Sequence, residues 1–201
     1  YKLRGDDFRS PLVIMNGIPN SPANGYAPVK NVIVANNTFV DCSVPWAFGV
    51  GAGSRDRTVT PESTLILNNI VYSPTETDLI RIYDKTDGIK LDNNLMISKA
   101  GILTGEGFVA GEIERGNVFG IDYITSKIKG KKLGFIRTDI LGNLRSEPTI
   151  GAFQMAGADP KIEIASAENC GPAWYHPEHQ ITNQKPVTIV KVAPGTDILT
   201  R

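Results

Sequence analysis

Apolar residues occur along the chain in short runs that Asn, Gly and Pro interrupt, and not in long amphipathic stretches. A β-branched run leads into a pair of Asn residues, and a second apolar run follows the pair. Full copies of this unit span residues 31–40, 63–72 and 88–97, and a degenerate copy spans 116–119. Such runs predict β-strands, and the Asn pair predicts a turn between two strands, because Asn tolerates the left-handed region of the backbone.

The spacing of the copies predicts how these strands are arranged. The second Asn of each pair stands at position 37, 69, 94 or 117, so the steps are 32, 25 and 23 residues. Steps of this size suit one coil of a parallel β-helix, which has three short strands and three turns. Stacked coils would place Asn37, Asn69 and Asn94 in a ladder in which each amide bonds to the next. An ordinary β-sandwich with accidental Asn pairs is the alternative.

The pattern changes after the last Asn pair. Residues 127–132 are rich in Lys and indicate a basic turn, which we expect to be a solvated hairpin tip and not a binding patch. Residues 139–153 combine apolar positions with Gly and Pro and indicate a terminal coil. The chain starts without Met or a signal peptide and stops just after a strand-like run, so we expect a segment of a longer protein.

These changes suggest three parts along the chain. Residues 1–155 are expected to be coils of a β-helix domain. Residues 156–186, which are rich in Pro, Ala and Glu, suit a linker or an extension packed on the domain. Residues 187–201 look like a fresh strand and turn, and we expect them to start a second β domain.

Composition and charge exclude several classes of protein. The 201 residues contain 21 Lys and Arg against 21 Asp and Glu, so the formal net charge is zero. A dedicated nucleic-acid binder would carry an excess of Lys and Arg. No apolar stretch approaches the roughly 20 residues that span a bilayer. Two cysteines, Cys42 and Cys170, are too few for a disulfide scaffold or an all-cysteine zinc site.

Two motifs resemble ligand-binding signatures but have simpler interpretations. The glycine-rich residues 49–54 lead into a loop and not into a helix, which a phosphate-binding loop requires. A glycine-lined coil that lets a polymer approach the backbone fits better, with Arg55 and Arg57 at its rim. His176 and His179 are residue types that bind zinc, but their Pro-containing context favours a surface loop.

Arg9, Arg55 and Arg57 are the strongest candidates for binding an anion. The guanidinium group is planar and matches a carboxylate with two parallel hydrogen bonds. All three residues lie near the repeated, glycine-lined surface that we expect to suit an acidic polymer. The alternative is that they pair with the acids beside them in the sequence, Asp6, Asp7 and Asp56.

Several segments together resemble one enzyme family, the polysaccharide lyases that include chondroitinase B and many alginate lyases. The first, residues 7–22, begins Asp-Phe-Arg-Ser-Pro. The others are residues 29–31, 36–40, 55–58 and 68–70, and the closing coil at 151–153. The resemblance extends over residues 1–155. It implies a right-handed, single-stranded parallel β-helix, a solenoid, and so identifies residues 1–155 as the C-terminal coils of the catalytic domain.

The resemblance also implies a chemistry, which is β-elimination on a uronic acid. In that family a calcium ion held by Asn and Glu oxygens neutralises the sugar carboxylate, a Lys removes the C5 proton, and an Arg assists the leaving oxygen. Those residues lie on coils before the Phe-Arg-Ser-Pro segment, and no residue of this chain matches them. We therefore expect the catalytic Lys and Arg pair and the calcium site upstream of Tyr1.

The residues that can be carried over are expected to bind substrate. Arg9 matches the family arginine just downstream of the catalytic coil, and Arg55 and Arg57 fall in the loop that flanks the cleft. Many members have Asn-Arg-Tyr where this chain has Asn24-Gly25-Tyr26. One polymer contact is therefore missing here, while Tyr26 remains as a stacking or hydroxyl contact.

The expected function is that of a secreted or periplasmic bacterial lyase that cleaves alginate and leaves unsaturated uronate ends. A lyase of chondroitin or dermatan sulfate is the alternative within the family, and a non-catalytic polysaccharide-binding β-helix is the alternative outside it. The expected partners are the anionic polysaccharide and the remainder of the same polypeptide. A homodimer is left open, whereas nucleic acid and a membrane span are not expected.

Overall fold

The computed structural model describes residues 1–22, 24–118 and 121–154. Within these ranges the regular elements are short β-strands and one 3₁₀ helix at Asp7–Arg9, and there is no α-helix. Each strand has two to five residues, and Asn or Gly directly follows several of them, as Asn16 follows Met15 and Gly51 follows Val50. The prediction of an all-β chain is confirmed for the part of the chain that the structure describes.

Nine strands form three parallel sheets, and each sheet takes one strand from each of three successive coils. The first sheet contains β1 (Leu12–Met15), β4 (Trp46–Val50) and β7 (Ile80–Ile82). The second sheet contains β2 (Ile33–Ala35), β5 (Thr64–Leu67) and β8 (Ile89–Asp92). The third sheet contains β3 (Thr38–Val40), β6 (Ile70–Tyr72) and β9 (Leu95–Ser98). Strands of equivalent position in the repeat therefore lie side by side, and a β-sandwich is excluded for these coils.

The predicted asparagine ladder is confirmed at the turn between the second and third sheets. The side-chain amide of Asn37 donates to Oδ1 of Asn69 at 3.0 Å, and that of Asn69 donates to Oδ1 of Asn94 at 2.9 Å. Backbone N–H groups add to the ladder, since that of Asn37 donates to the Asn69 side chain and that of Asn69 to the Asn94 side chain. Asn69 and Asn94 are completely buried. We call these three residues the inner ladder.

The first Asn of each pair supplies the turn itself. Asn36, Asn68 and Asn93 have φ angles of 56°, 55° and 53°, which lie in the left-handed region. Asn enters this region more readily than other non-glycine residues because its short amide can bond to nearby backbone. We call these three residues the outer ladder, because their side chains contact a different part of the chain.

The fourth predicted copy is not a fourth coil. Asn117 belongs to β11 (Glu114–Val118), which pairs antiparallel with β12 (Ile121–Thr125). The departure begins earlier, because β10 (Gly101–Ile102) turns back and pairs antiparallel with β9. The run before Asn117 contains the exposed charged residues Glu112, Glu114 and Arg115, whereas a parallel strand buried on both faces is a nearly continuous apolar run.

Two apolar cores lie on opposite faces of the third sheet. The interior core lies between the three sheets and contains Ile14, Trp46, Phe48, Ile66, Val71, Leu79 and Met96. The second core contains Val40, Ile70, Tyr72, Leu95, Ile124 and Ile150. Neighbours along β6 point to opposite faces, so Val71 enters the first core and Ile70 and Tyr72 enter the second.

The second core is covered by residues 126–154, which we call the strap. Its main chain bonds to the outer ladder: the Asn68 amide donates to the Lys131 carbonyl at 2.8 Å, and Lys131 N–H donates back to Asn68 Oδ1 at 2.9 Å. Asn36 likewise donates to the Thr149 carbonyl at 3.1 Å. The expectation of a hairpin tip at 127–132 is therefore wrong, because this backbone forms hydrogen bonds with the side chain of a turn residue. The expected solvation holds for the four Lys side chains, which are exposed.

Residues 139–153 were predicted to be a terminal coil, but they contain no strand and join none of the three parallel sheets. They belong to the strap, and their Ile150 is completely buried in the second core. The expected linker at 156–186 and the expected second domain at 187–201 lie outside the described residues, as do Cys170 and the two histidines. Within the described residues, no helix is long and apolar enough to cross a bilayer.

Candidate functional site

The predicted binding residues come from three segments around the first sheet. Arg9 ends the 3₁₀ helix that precedes β1, Tyr26 lies in the loop after β1, and Arg55 and Arg57 lie in the loop after β4. The 3₁₀ helix contacts both β1 and β4. The fold therefore gathers three separate segments on one sheet.

The two loops are joined by backbone hydrogen bonds. Gly17 N–H donates to the Val59 carbonyl at 2.8 Å, and Val59 N–H donates to the Gly17 carbonyl at 3.0 Å. Ile18 N–H donates to the Tyr26 carbonyl at 2.8 Å, so the Tyr26 loop folds back on its own start. These bonds place Tyr26 next to the Arg57 loop.

The loop after β4 turns tightly through residues in the left-handed region. Four of its residues have φ between 51° and 83°: Gly51, Gly53, Arg55 and Asp56. Two successive non-glycine residues in this region are strained, and such strain is concentrated at functional sites. After this left-handed turn the Arg57 side chain lies against Gly51 and the Tyr26 ring.

Arg57 is buried, with 4% of its surface exposed, whereas the sequence predicted a position at the rim. Its guanidinium carbon lies 3.9 Å from the centre of the Tyr26 ring and 5.7 Å from that of Phe8. Its Nε is buried and has no hydrogen-bond partner. The structure thus brings two predicted residues, Arg57 and Tyr26, into direct contact.

Two of the glycines in residues 49–54 are in close contact with other residues of the protein. A Cβ on Gly51 would lie 2.6 Å from Nη1 of Arg57, and a Cβ on Gly49 would lie 2.8 Å from the backbone nitrogen of Asp84. Both contacts are too short for a real Cβ. The expectation that the glycines of residues 49–54 leave room for a polymer is therefore wrong for Gly49 and Gly51, which leave room for Asp84 and Arg57. Of these three glycines, only Gly53 faces open space.

Arg9 and Arg55 are exposed. Neither forms an ion pair with any side chain that the structure describes. The predicted alternative partner Asp6 lies 3.5 Å from Arg81 instead, and Arg9 contacts Asp6 through a backbone hydrogen bond of 2.8 Å. Asp56 forms no ion pair among the described residues either.

Sequence reasoning missed one polar pair at the end of the first sheet. The buried Asn16 donates its amide to Oδ2 of Asp84 at 2.6 Å, and Asn16 Oδ1 has no partner. Hydrogen bonds from Lys85 N–H and then from Asn16 hold the pKa of Asp84 below its usual value. The Asn-Gly dipeptide directly after β1 was a turn signal that could have drawn attention to Asn16. Phe8 was also missed as a partner of Arg57.

The described residues do not form a metal site. No group of three or more His, Cys, Asp or Glu side chains in this part of the chain is arranged to hold a metal ion. Asn16 and Asp84 by themselves supply too few oxygen ligands for calcium. The residues present here therefore do not fit a calcium ion.

Comparison with known families identifies the chain's relatives. A model of the family described as chondroitinase B matches residues 1–130, which is more than half of the sequence. The chain belongs to the chondroitinase B family. The match covers the three parallel coils, the 3₁₀ helix and both loops that carry the predicted binding residues.

Solved structures of this family agree with the fold. The PL6 family alginate lyase AlyGC, solved as an arginine-to-alanine variant, is 32% identical with a TM-score of 0.53, and 61% of this chain is covered. A second structure of AlyGC is 30% identical with a TM-score of 0.50 over 62% of this chain. The chain spans 17% of the length of each. No curated protein matches it.

Proposed function

We propose that this chain belongs to a polysaccharide lyase that cleaves alginate by β-elimination and leaves unsaturated uronate ends. The supporting relatives are the alginate lyase structures, at 30–32% identity. The chain's own part would be to hold carboxylates of the polymer beside a catalytic Lys and Arg pair from outside it. A chondroitin or dermatan sulfate lyase is the second candidate, since the matching family model is described as chondroitinase B.

One observation carries the proposal: three guanidinium groups near the first sheet have no acidic partner among the described residues. Arg9, Arg55 and Arg57 all stand there without an ion pair. Some cations elsewhere do pair with acids, as Arg4 does with Asp41 at 2.8 Å and Lys30 with Glu62 at 2.8 Å. Unpaired guanidinium groups beside exposed aromatic rings suit an anionic sugar polymer.

The chemistry explains why such cations matter. The proton at C5 of a uronate is weakly acidic while the neighbouring carboxylate keeps its full negative charge. Cations placed at the carboxylates hold the polymer in register and stabilise the charge that develops as the proton leaves. Calcium is proposed as the cofactor from the family resemblance, with its ligands outside the described residues. The proposed binding of a carboxylate by Arg9 does not require calcium.

We infer that the coils wind as a right-handed parallel β-helix. The chain leaves the first sheet after β1, passes through β2 and β3, and returns as β4, a parallel neighbour of β1. Such crossover connections are right-handed in about 98% of cases. Secretion or export to the periplasm is proposed because a polymeric substrate is too large to enter the cytoplasm.

The experiment uses Arg9 in a whole enzyme that carries this chain. Arg9→Lys keeps the charge but loses the fork, and Arg9→Ala loses both. We expect kcat/KM on alginate to fall at least about tenfold in Arg9→Lys and further in Arg9→Ala, because a charge-assisted contact to a carboxylate is lost. The readout is ultraviolet absorbance of the unsaturated ends, with and without a chelator.

Arg137→Ala is the matched control, since Arg137 is an exposed arginine of the strap. It should leave both kcat/KM and the melting temperature unchanged. Absence of unsaturated ends from alginate would refute the alginate proposal, and ends formed only from dermatan would favour the second candidate. Unchanged kinetics in Arg9→Ala would remove Arg9 as a substrate residue.

A further inference from the structure

Two Asn-Gly dipeptides lie between β1 and β2, Asn16-Gly17 and Asn24-Gly25, and their surroundings differ. Asn is one of the chemically labile residues of proteins. Its side-chain amide can be attacked by the backbone nitrogen of the residue that follows it. Gly makes this attack easiest, because it has no side chain to hinder the approach and its backbone is the most adaptable. The fold therefore decides which of the two Asn residues can react.

Asn16 is protected by its surroundings. It is 1% exposed, and its amide donates to Oδ2 of Asp84 at 2.6 Å. The nucleophile, Gly17 N, donates to the Val59 carbonyl at 2.8 Å. A Cβ on Gly17 would lie 2.5 Å from backbone atoms of Pro28, so the dipeptide is also closely packed. The attack would require both hydrogen bonds to break inside a buried segment, which opens rarely.

Asn24 lacks this protection. Both Asn24 and Gly25 are exposed, and the Asn24 side chain forms no hydrogen bond with the described residues. Gly25 N donates to the Pro22 carbonyl at 2.9 Å, which closes a turn in the loop. This bond must open before the nitrogen can attack. A single bond in an exposed turn opens at a much smaller free energy than a buried pair does.

We propose that Asn24 is a site of spontaneous deamidation, whereas Asn16 stays intact in the folded protein. Gly25 N forms a bond to Cγ of Asn24, and the bond between Cγ and Nδ2 breaks. Nδ2 leaves as ammonia and takes the proton that Gly25 N loses. Water then opens the resulting succinimide at either carbonyl, which yields aspartate or isoaspartate. The reaction needs water alone as co-reactant, and its product carries a negative charge.

The position of Asn24 gives the added charge a consequence. Asn24 lies two residues before Tyr26, whose ring centre is 3.9 Å from the guanidinium carbon of Arg57. Deamidation therefore adds a carboxylate to the loop that contacts a guanidinium group without an acidic partner. A negative charge there should repel an anionic polymer. This consequence rests on the proposed function, whereas the modification itself does not.

The first test compares three Asn residues within one peptide. Trypsin releases residues 10–30 together, because Arg9 and Lys30 bound them, and this peptide contains Asn16, Asn20 and Asn24. The whole protein that carries this chain is incubated at mildly alkaline pH, and mass spectrometry with fragmentation locates each deamidated residue. We expect Asn24 to react at least about tenfold faster than Asn16, because the exposed loop opens more readily. Asn20 is exposed but precedes Ser, so it should also react more slowly than Asn24.

Unfolding and substitution provide the controls. In urea both Asn16 and Asn24 precede Gly without any fold around them, so their rates should become similar. Gly25→Ala should slow the reaction of Asn24 and leave Asn16 unaffected, and φ of Gly25 is not in the left-handed region that would strain Ala. Equal rates for Asn16 and Asn24 in the folded protein would overturn the proposal. An Asn24 that stays intact when folded and reacts only in urea would overturn it as well.

The second test measures the consequence of the added charge. Anion-exchange chromatography separates the deamidated whole enzyme from the intact enzyme of the same sample. We expect kcat/KM on alginate to be at least about twofold lower in the deamidated fraction, because the new carboxylate repels the polymer. Equal values would overturn the effect on substrate binding. Failure of the proposed function looks different, since neither fraction would then form unsaturated ends although Asn24 still deamidates.

Discussion

At the scale of single residues, asparagine has two separate uses in this protein. The inner ladder satisfies buried polar groups between coils, and Asn69 forms hydrogen bonds through both atoms of its amide. The outer ladder adopts a left-handed backbone and bonds to the strap. In each pair, therefore, the second Asn bonds to the equivalent residue of the next coil and the first Asn bonds to the strap.

Replacing Asn69 by Leu should destabilise the protein. The substitution leaves the Asn37 N–H, the Val34 carbonyl and part of the Asn94 amide without their partner. Each buried group left unsatisfied costs about 1–3 kcal/mol, so the free energy of unfolding should fall by at least that amount. Chemical denaturation measures it.

Asn37→Leu is the matched control, because Asn37 is the exposed end of the ladder and water can replace its bonds. We expect a smaller loss than for Asn69→Leu. Equal losses in the two variants, or no change in Asn69→Leu, would contradict a ladder whose strength comes from burial.

At the scale of elements, the strap is held by two buried polar residues. Asp139 accepts hydrogen bonds from the N–H groups of Leu141, Asn143 and Gln154. Arg145 donates to the Thr138 carbonyl at 3.3 Å and to the Gly151 carbonyl at 2.8 Å, so it joins two parts of the strap. A segment without strands thus obtains its backbone hydrogen bonds from side chains.

Asp139 should make the strap sensitive to acid. Burial alone would raise the pKa of this carboxyl, but hydrogen bonds from Gln154, Asn143 and Leu141 outweigh it and hold the pKa below the ordinary value of 3.8. Its stabilising effect is therefore complete above pH 3.8 and is lost as the pH falls through the lower folded value. Hydrogen exchange at the amides of Asn143 and Gln154, corrected for its intrinsic pH dependence, should accelerate over that range.

Asp139→Asn should loosen these amides already at neutral pH and remove the acid-dependent step. Asp87→Asn, at an exposed position outside the strap, should leave the profile as in the wild type. Persistence of the acid step in Asp139→Asn would assign it to another group.

At the scale of the described part of the molecule, the third sheet is enclosed on both faces. The interior core fills the space between the sheets, and the second core joins the outer face of the third sheet to β12 and the strap. Parallel strands buried on both faces read as continuous apolar runs, as β6 does with Ile70, Val71 and Tyr72 all buried. The strap therefore contributes to the second core and is part of the folded structure.

Ile150→Ala tests that conclusion. Ile150 is completely buried in the second core, so its truncation should lower the free energy of unfolding by about 2–5 kcal/mol. Ile140→Ala makes the same change in the same strap at a position that is 70% exposed, and it should cost less than about 0.5 kcal/mol. Similar values for the two variants in chemical denaturation would mean that the strap does not close the core.

The candidate site shows where prediction from the sequence stops. Arg9, Tyr26, Arg55 and Arg57 could be selected by residue type and family pattern. Nothing in the local sequence shows that Arg57 turns inward onto Tyr26, because that depends on the left-handed turn through Arg55 and on loops joined 42 residues apart at Gly17 and Val59.

The sequence by itself determined the strands beside the three full Asn pairs, their stacking and the inner ladder. Each coil repeats the same short pattern, so the neighbours of Asn69 are the equivalent residues one repeat away. Only the tertiary structure decided the course of the strap and the partners of the outer ladder. Asn68 binds Lys131 across 63 residues and Asn36 binds Thr149 across 113. These positions are not related by the sequence repeat, because the contacts form only when the strap packs against the turns of the stacked coils.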